Sequence, residues 1–138
     1  MVKSSAARET ATSGNYWGNK DRPGPRIMAA DTLEGDKVRN AAGEDVGKIE
    51  HIMLDVSTGR VAYAVLSFGG FLGMGDKLFA IPWRALTLDT KEKCFVLDAG
   101  KEHLKRAHGF DKDHWPSMAD ETWARSVHTY YGSAPYWD

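Results

Sequence analysis

From Asp31 onward the chain alternates short apolar runs with turn residues, which is the pattern of a small all-β domain. Lys37–Asn40 leads through a Gly43-containing turn into a second run at residues 47–56. That run is out of phase with itself: Ile52, Leu54 and Val56 alternate on one face, whereas Ile49 and Met53 fall on the other. A bulge near Glu50 or His51 would reconcile the two sets. The turn Ser57, Thr58, Gly59, Arg60 introduces a strand at residues 61–68 that is apolar on both faces. Val61, Tyr63 and Val65 take one side, and Ala62, Ala64, Leu66 and Phe68 the other. A sheet with one buried face needs only one such set. The second must be covered, either by the chain's own helices or by another subunit.

After this strand a glycine-rich loop carries Phe71, Leu72 and Met74, folded inward or offered to a partner as an apolar patch. Lys77–Pro82 continues as a strand. Pro82 then breaks the ladder because it has no N–H to donate, and Trp83 is expected to plug one end of a barrel. Leu86–Asp89 and residues 94–98 form a last hairpin, making about six strands in all. Beyond Asp98 the period lengthens to that of helices. Residues 101–107 read as a short helix stopped by Gly109, Asp111 to Pro116 as a helix entry and break, and residues 120–131 as a helix with Trp123, Val127 and Tyr130 on one face. The first 30 residues are rich in small and polar types and end in a Pro-Gly-Pro run. They bury too little to offset their ordering entropy, so a flexible arm is expected, with Tyr16 and Trp17 as docking side chains. The organisation is thus an arm at 1–30, a mainly β domain at 31–98, and a helical extension at 99–138.

Composition narrows the function classes. The chain has 138 residues and a formal net charge of -1, so phosphate neutralisation is not its business and nucleic acid is not an expected partner. One cysteine, Cys94, permits no internal disulfide and fits a reducing compartment. It lies in a strand-like run and reads as packing. There is no apolar signal region and no run approaching the roughly 20 apolar residues of a membrane span, so the cytoplasm is the expected location and membrane insertion is not expected.

Candidate chemistry is sparse. The glycine loop lacks the helix start that would aim backbone amides at a phosphate, since a strand follows it. His103, His108, Asp111, Asp113 and His114 cluster in sequence, but a helical metal pair favours a spacing of four, and His103 to His108 is five. His51 has no reason to sit beside Ser57 or Cys94 as a general base. No catalytic residue, metal or cofactor is therefore expected.

Several motifs in order carry a family resemblance. Residues 31–38, 43–55, 59–70 and 79–83 together resemble the PRC-barrel family, named for the cytoplasmic barrel of the photosynthetic reaction-centre H subunit; a related barrel occurs in a ribosome maturation factor. Residues 109–116 are similar to the tail of stand-alone bacterial members. The resemblance implies a small six-stranded β-barrel with short C-terminal helices, and a non-catalytic contact module. The chain has neither the membrane helix of the H subunit nor the RNA-factor domain of the maturation protein, so neither role is expected. The combined reading is a homodimeric interaction or assembly protein whose contact surface comprises Tyr63, Val65, Phe68, Phe71, Leu72, Met74 and Trp83. The alternative is a stress-linked barrel binding a small ligand or metal.

Overall fold

A computed structural model describes residues 26–68 and 77–138. The expected arm through residue 25, with Tyr16 and Trp17, and the loop side chains Phe71, Leu72 and Met74 lie outside the described residues.

The strand expectations hold closely. A one-turn helix α1 (Ala30–Leu33) precedes β1 (Lys37–Asn40), β2 (Asp45–Asp55), β3 (Arg60–Phe68) and β4 (Lys77–Pro82). A 3-10 turn (Trp83–Ala85) leads to β5 (Leu86–Asp89) and β6 (Cys94–Leu97), followed by helices α2 (Lys101–Lys105) and α3 (Glu121–Tyr130). The expected helical entry at Asp111 is instead a turn, in which Asp111 accepts from the Asp113 amide at 2.9 Å and meets the His114 ring at 2.7 Å. These local side-chain bonds compete with a helix start.

The strands form one sheet in the order β4-β3-β2-β1-β6-β5. Every neighbouring pair is antiparallel except β1 and β6, which run parallel. Val38 of β1, Ile49 of β2, Leu66 of β3, Phe79 of β4, Leu88 of β5 and Phe95 of β6 all meet in one core, with Leu104 of α2 buried among them. The sheet therefore curls around this main core. Its ladder is not closed by hydrogen bonds: β4 and β5 are its two edges, parted by Pro82 and the turn that follows.

The expected bulge in β2 lies between Ile49 and His51, and its extra residue, Glu50, accepts a hydrogen bond from the Ser67 hydroxyl at 2.9 Å. Two further irregularities were not anticipated. One sits opposite Val38 and Arg39 of β1, where Gly47 adopts φ +122° and lies so close to β3 that a Cβ would come within 2.1 Å of the Ser67 carbonyl oxygen. The other lies between Met53 and Leu54. Its extra residue is Ala62 of β3, which corrects the expectation that Ala62 lies on the face opposite Tyr63: the two pack in one cluster outside the main core, and at the hairpin end Leu54 is 55% and Val56 90% exposed.

Candidate functional site

The face of β3 that carries Tyr63 and Val65 points away from the main core, and the chain covers it with its own C-terminal segment. Register pairs Tyr63 with Met53 on β2 and with Pro82 on β4, and Val65 with His51 and Ala80. Above Tyr63 and Ala80 lie Trp123, Ala124 and Val127 of α3, with Phe110, Met118, Tyr136 and Trp137 completing a second apolar cluster. Of the helix face read from sequence, Trp123 and Val127 belong to this cluster, whereas Tyr130 turns away and stacks on His103 at 4.0 Å.

Local chemistry places this lid. Asp120 caps α3, its carboxylate accepting from the amides of Thr122 at 2.8 Å and Trp123 at 3.3 Å. At the other end Ser133 N–H bonds to the His128 carbonyl and Gly132 N–H to the Thr129 carbonyl, with Gly132 at φ +67°. This pair of bonds ends a helix on a left-handed residue and turns the chain sharply. The segment 133–138 thereby runs back across the sheet. Arg84 holds it by donating to the carbonyls of Pro135 at 3.1 Å and Asp138 at 2.7 Å, and Arg60 donates to that of Tyr136 at 3.1 Å. Upstream of α3, Phe110 pairs with Leu78 through two backbone bonds of 2.8 Å and covers part of the free edge of β4.

His128 is the buried polar centre of the lid, 1% exposed. Its Nδ1 lies 2.7 Å from the Ala124 carbonyl, and Tyr136 N–H donates to its Nε2 at 3.1 Å. A carbonyl only accepts and an amide only donates, so the ring is neutral with its proton on Nδ1. Tyr63 touches His128, Trp123 and Tyr136 with ring centroids 5.3, 5.4 and 5.9 Å apart. Burial pushes the Tyr63 hydroxyl well above the ordinary tyrosine range. Tyr136 reaches onward to β2, donating its hydroxyl to Asp55 Oδ2 at 2.8 Å. The Ser57 hydroxyl bonds to the same carboxylate, and these two side-chain bonds hold Asp55 below the usual carboxylate range.

Beside this contact two hollows open. A groove of about 450 Å³ runs between the end of the β2–β3 hairpin, with Met53, Leu54 and Val56, and the approach to α3 at Met118 and Ala119. A hollow of about 300 Å³ shares Asp55, Met118, Ala119 and Tyr136 with it and continues to Glu121 and Trp137.

The residues expected to form a contact surface are thus dispersed. Tyr63 is 1% exposed and Val65 fully buried; the expectation that they face a partner is corrected, because the chain's own lid lies over this side of the sheet. Phe68 belongs to the main core, beneath the Lys101 ammonium at 5.9 Å. Trp83 is half-buried at the rim of that core, edge-on to Phe95 at 5.6 Å. Cys94 is buried in β6 and accepts from Arg39 Nε at 3.3 Å. His51 meets the Trp115 ring at 5.4 Å. Among the described residues no three His, Cys, Asp or Glu side chains gather as a metal site, and the histidine cluster of the sequence separates, with His103 against Tyr130 and His114 against Asp111. Sequence reasoning missed Asp55, His128 and Tyr136, which lie far apart along the chain; the one local hint was the aromatic pair Tyr136-Trp137 in a short polar tail.

Comparison with known proteins adds one match. A model of the PRC-barrel domain family fits residues 25–104. No curated protein matches the chain.

Proposed function

The chain belongs to the PRC-barrel domain family, and from that premise we propose that it is a non-catalytic interaction and assembly module that works in the cytoplasm as a homodimer, with its curled sheet serving as the family's barrel. The observation that carries this reading is the exposure of Leu54 and Val56 at the end of the β2–β3 hairpin, 55% and 90%. The lid already occupies the outer face of β3, and among the described residues Leu54 and Val56 are two large apolar side chains left open close together, beside the exposed Ile27 and Trp115 elsewhere. Burying them against a second copy would return about 25 cal/mol for each Å² of apolar surface removed from water. A net charge of -1 leaves protein rather than nucleic acid as the partner.

Light scattering at micromolar concentration tests the reading. The wild-type chain is expected at twice its 15.3 kDa mass, and the Leu54→Ser, Val56→Ser double variant at the monomer mass with an unchanged far-UV circular dichroism spectrum. A monomeric wild type, or a dimer indifferent to the double substitution, would overturn it.

A further inference from the structure

The C-terminal segment lies on the sheet as a short separate peptide would. Beyond Gly132, no backbone-to-backbone hydrogen bond joins residues 133–138 to a strand among the described residues. Side chains reaching for main-chain groups hold the segment instead. Arg84 donates to the carbonyls of Pro135, Tyr136 and Asp138 at 3.1, 3.5 and 2.7 Å, and Arg60 donates to that of Tyr136 at 3.1 Å. His128 Nε2 accepts from the Tyr136 amide at 3.1 Å. Carbonyls and amides are common to all peptides, so these contacts fix the path of the backbone rather than the identity of its side chains.

Identity enters through two aromatic residues. Tyr136 lays its ring against Tyr63 and His128 and donates its hydroxyl to Asp55 at 2.8 Å. Trp137 meets the His128 ring at 5.8 Å and takes the Arg125 guanidinium over its own ring at 5.3 Å. Aromatic anchors of this kind concentrate the affinity of peptide and protein contacts. The segment is also ordered in part by itself, since Pro135 has a fixed φ and the Asp138 amide returns to the Pro135 carbonyl at 3.1 Å. Less freedom is then lost on docking.

None of these contacts requires that seat and segment belong to one chain. The connection between them runs through Gly132, at φ +67°, where α3 ends. Exchange of identical elements between copies keeps every contact and changes only such a hinge. We propose that Asp55, Arg60, Arg84 and His128 form a docking seat for residues 133–138 of a second copy, in competition with the chain's own segment. The seat goes beyond the assembly reading and stands whether or not Leu54 and Val56 join two copies, because a peptide probes it without any change of dimer mass.

A synthetic peptide of residues 133–138, titrated into the isotope-labelled full chain and followed by amide NMR, tests the proposal. Tyr136→Ala removes an anchor of the chain's own segment, and this variant should take up the peptide saturably, with shifts at Asp55, Arg60, Arg84 and His128. In the wild type the tethered segment competes at an effective concentration of about a millimolar, so the peptide should bind at least about tenfold more weakly. Adding Arg84→Ala to the variant, or Tyr136→Phe to the peptide, should weaken binding about tenfold, as loss of a charge-assisted bond does. Because Tyr136 also fills the second cluster, Trp137→Ala serves as a second host that keeps this ring in place. An unlabelled Arg84→Ala chain, whose own seat has lost a holding side chain, should shift the same amides of the labelled host as the peptide does. No saturable binding by either host, binding indifferent to Arg84→Ala, or shifts from the peptide but none from the Arg84→Ala chain would overturn it.

Discussion

Gly47 is a residue that the β2–β3 contact requires. Its φ of +122° and the 2.1 Å approach of a built Cβ to the Ser67 carbonyl oxygen leave an added side chain no place, because the obstacle is backbone. Gly47→Ala should lower stability by on the order of 3 kcal/mol, read from a urea denaturation curve. Tyr63 gives the opposite contrast. Its ring fills the second cluster, so Tyr63→Ala would open a cavity at a cost of about 3 to 5 kcal/mol. Its hydroxyl satisfies nothing in the described structure, so Tyr63→Phe should leave the free protein at least as stable, by up to about 1 kcal/mol. Equal losses from the two substitutions would show that the hydroxyl is bonded after all.

At the scale of elements, α3 stands as a lid because its ends are specified locally and its face is matched to the sheet. Asp120 satisfies two of the amides that a helix start leaves open, and the Glu121 to Arg125 pair adds an i,i+4 contact on the exposed side. Asp120→Ala should cost about 1 kcal/mol and speed amide exchange across α3 more than across β3. A uniform change in exchange would mean that helix and sheet open together. The same logic explains β2. Its two bulges, at Val46 and Glu50, let an 11-residue strand serve two cores in turn, with Val46, Ile49 and Ile52 given to the first and Met53 to the second.

For the whole molecule the titrating groups predict instability at both ends of the pH scale. Asp55, Asp89 and Asp111 are all lowered from an ordinary 3.8, chiefly by hydrogen bonds from Ser57, the Glu92 amide and His114 respectively. The unfolded chain therefore takes up protons first as pH falls, and the stability these groups contribute above their ordinary value is lost through it and below. Tyr63 and Tyr131 are raised from 10.0 by burial. Here the unfolded chain gives up its protons first, so stability is constant below about pH 10 and declines above it. Urea midpoints across pH should trace this profile, and Tyr63→Phe should flatten its alkaline limb alone. An alkaline limb unchanged in Tyr63→Phe would place the sensitivity elsewhere.

The strand positions, the bulge beside Glu50 and the existence of a final helix were legible in the sequence, because side-chain period and turn chemistry act over a few residues. The two apolar faces of β3 were legible in the same way, together with the demand that something cover the second. What covers it was decided by tertiary structure. Trp123, His128 and Tyr136 reach Tyr63 across some sixty or more residues, and Tyr136 reaches Asp55 across 81; no local period encodes such meetings. Neither does it encode the slip opposite Met53 and Leu54, where Ala62 is the extra residue of β3 and joins Tyr63 in the second cluster. A one-residue change of register sends a side chain to the opposite face, so the open surface and the groove beside it exist only once the strands have paired and the tail has crossed them.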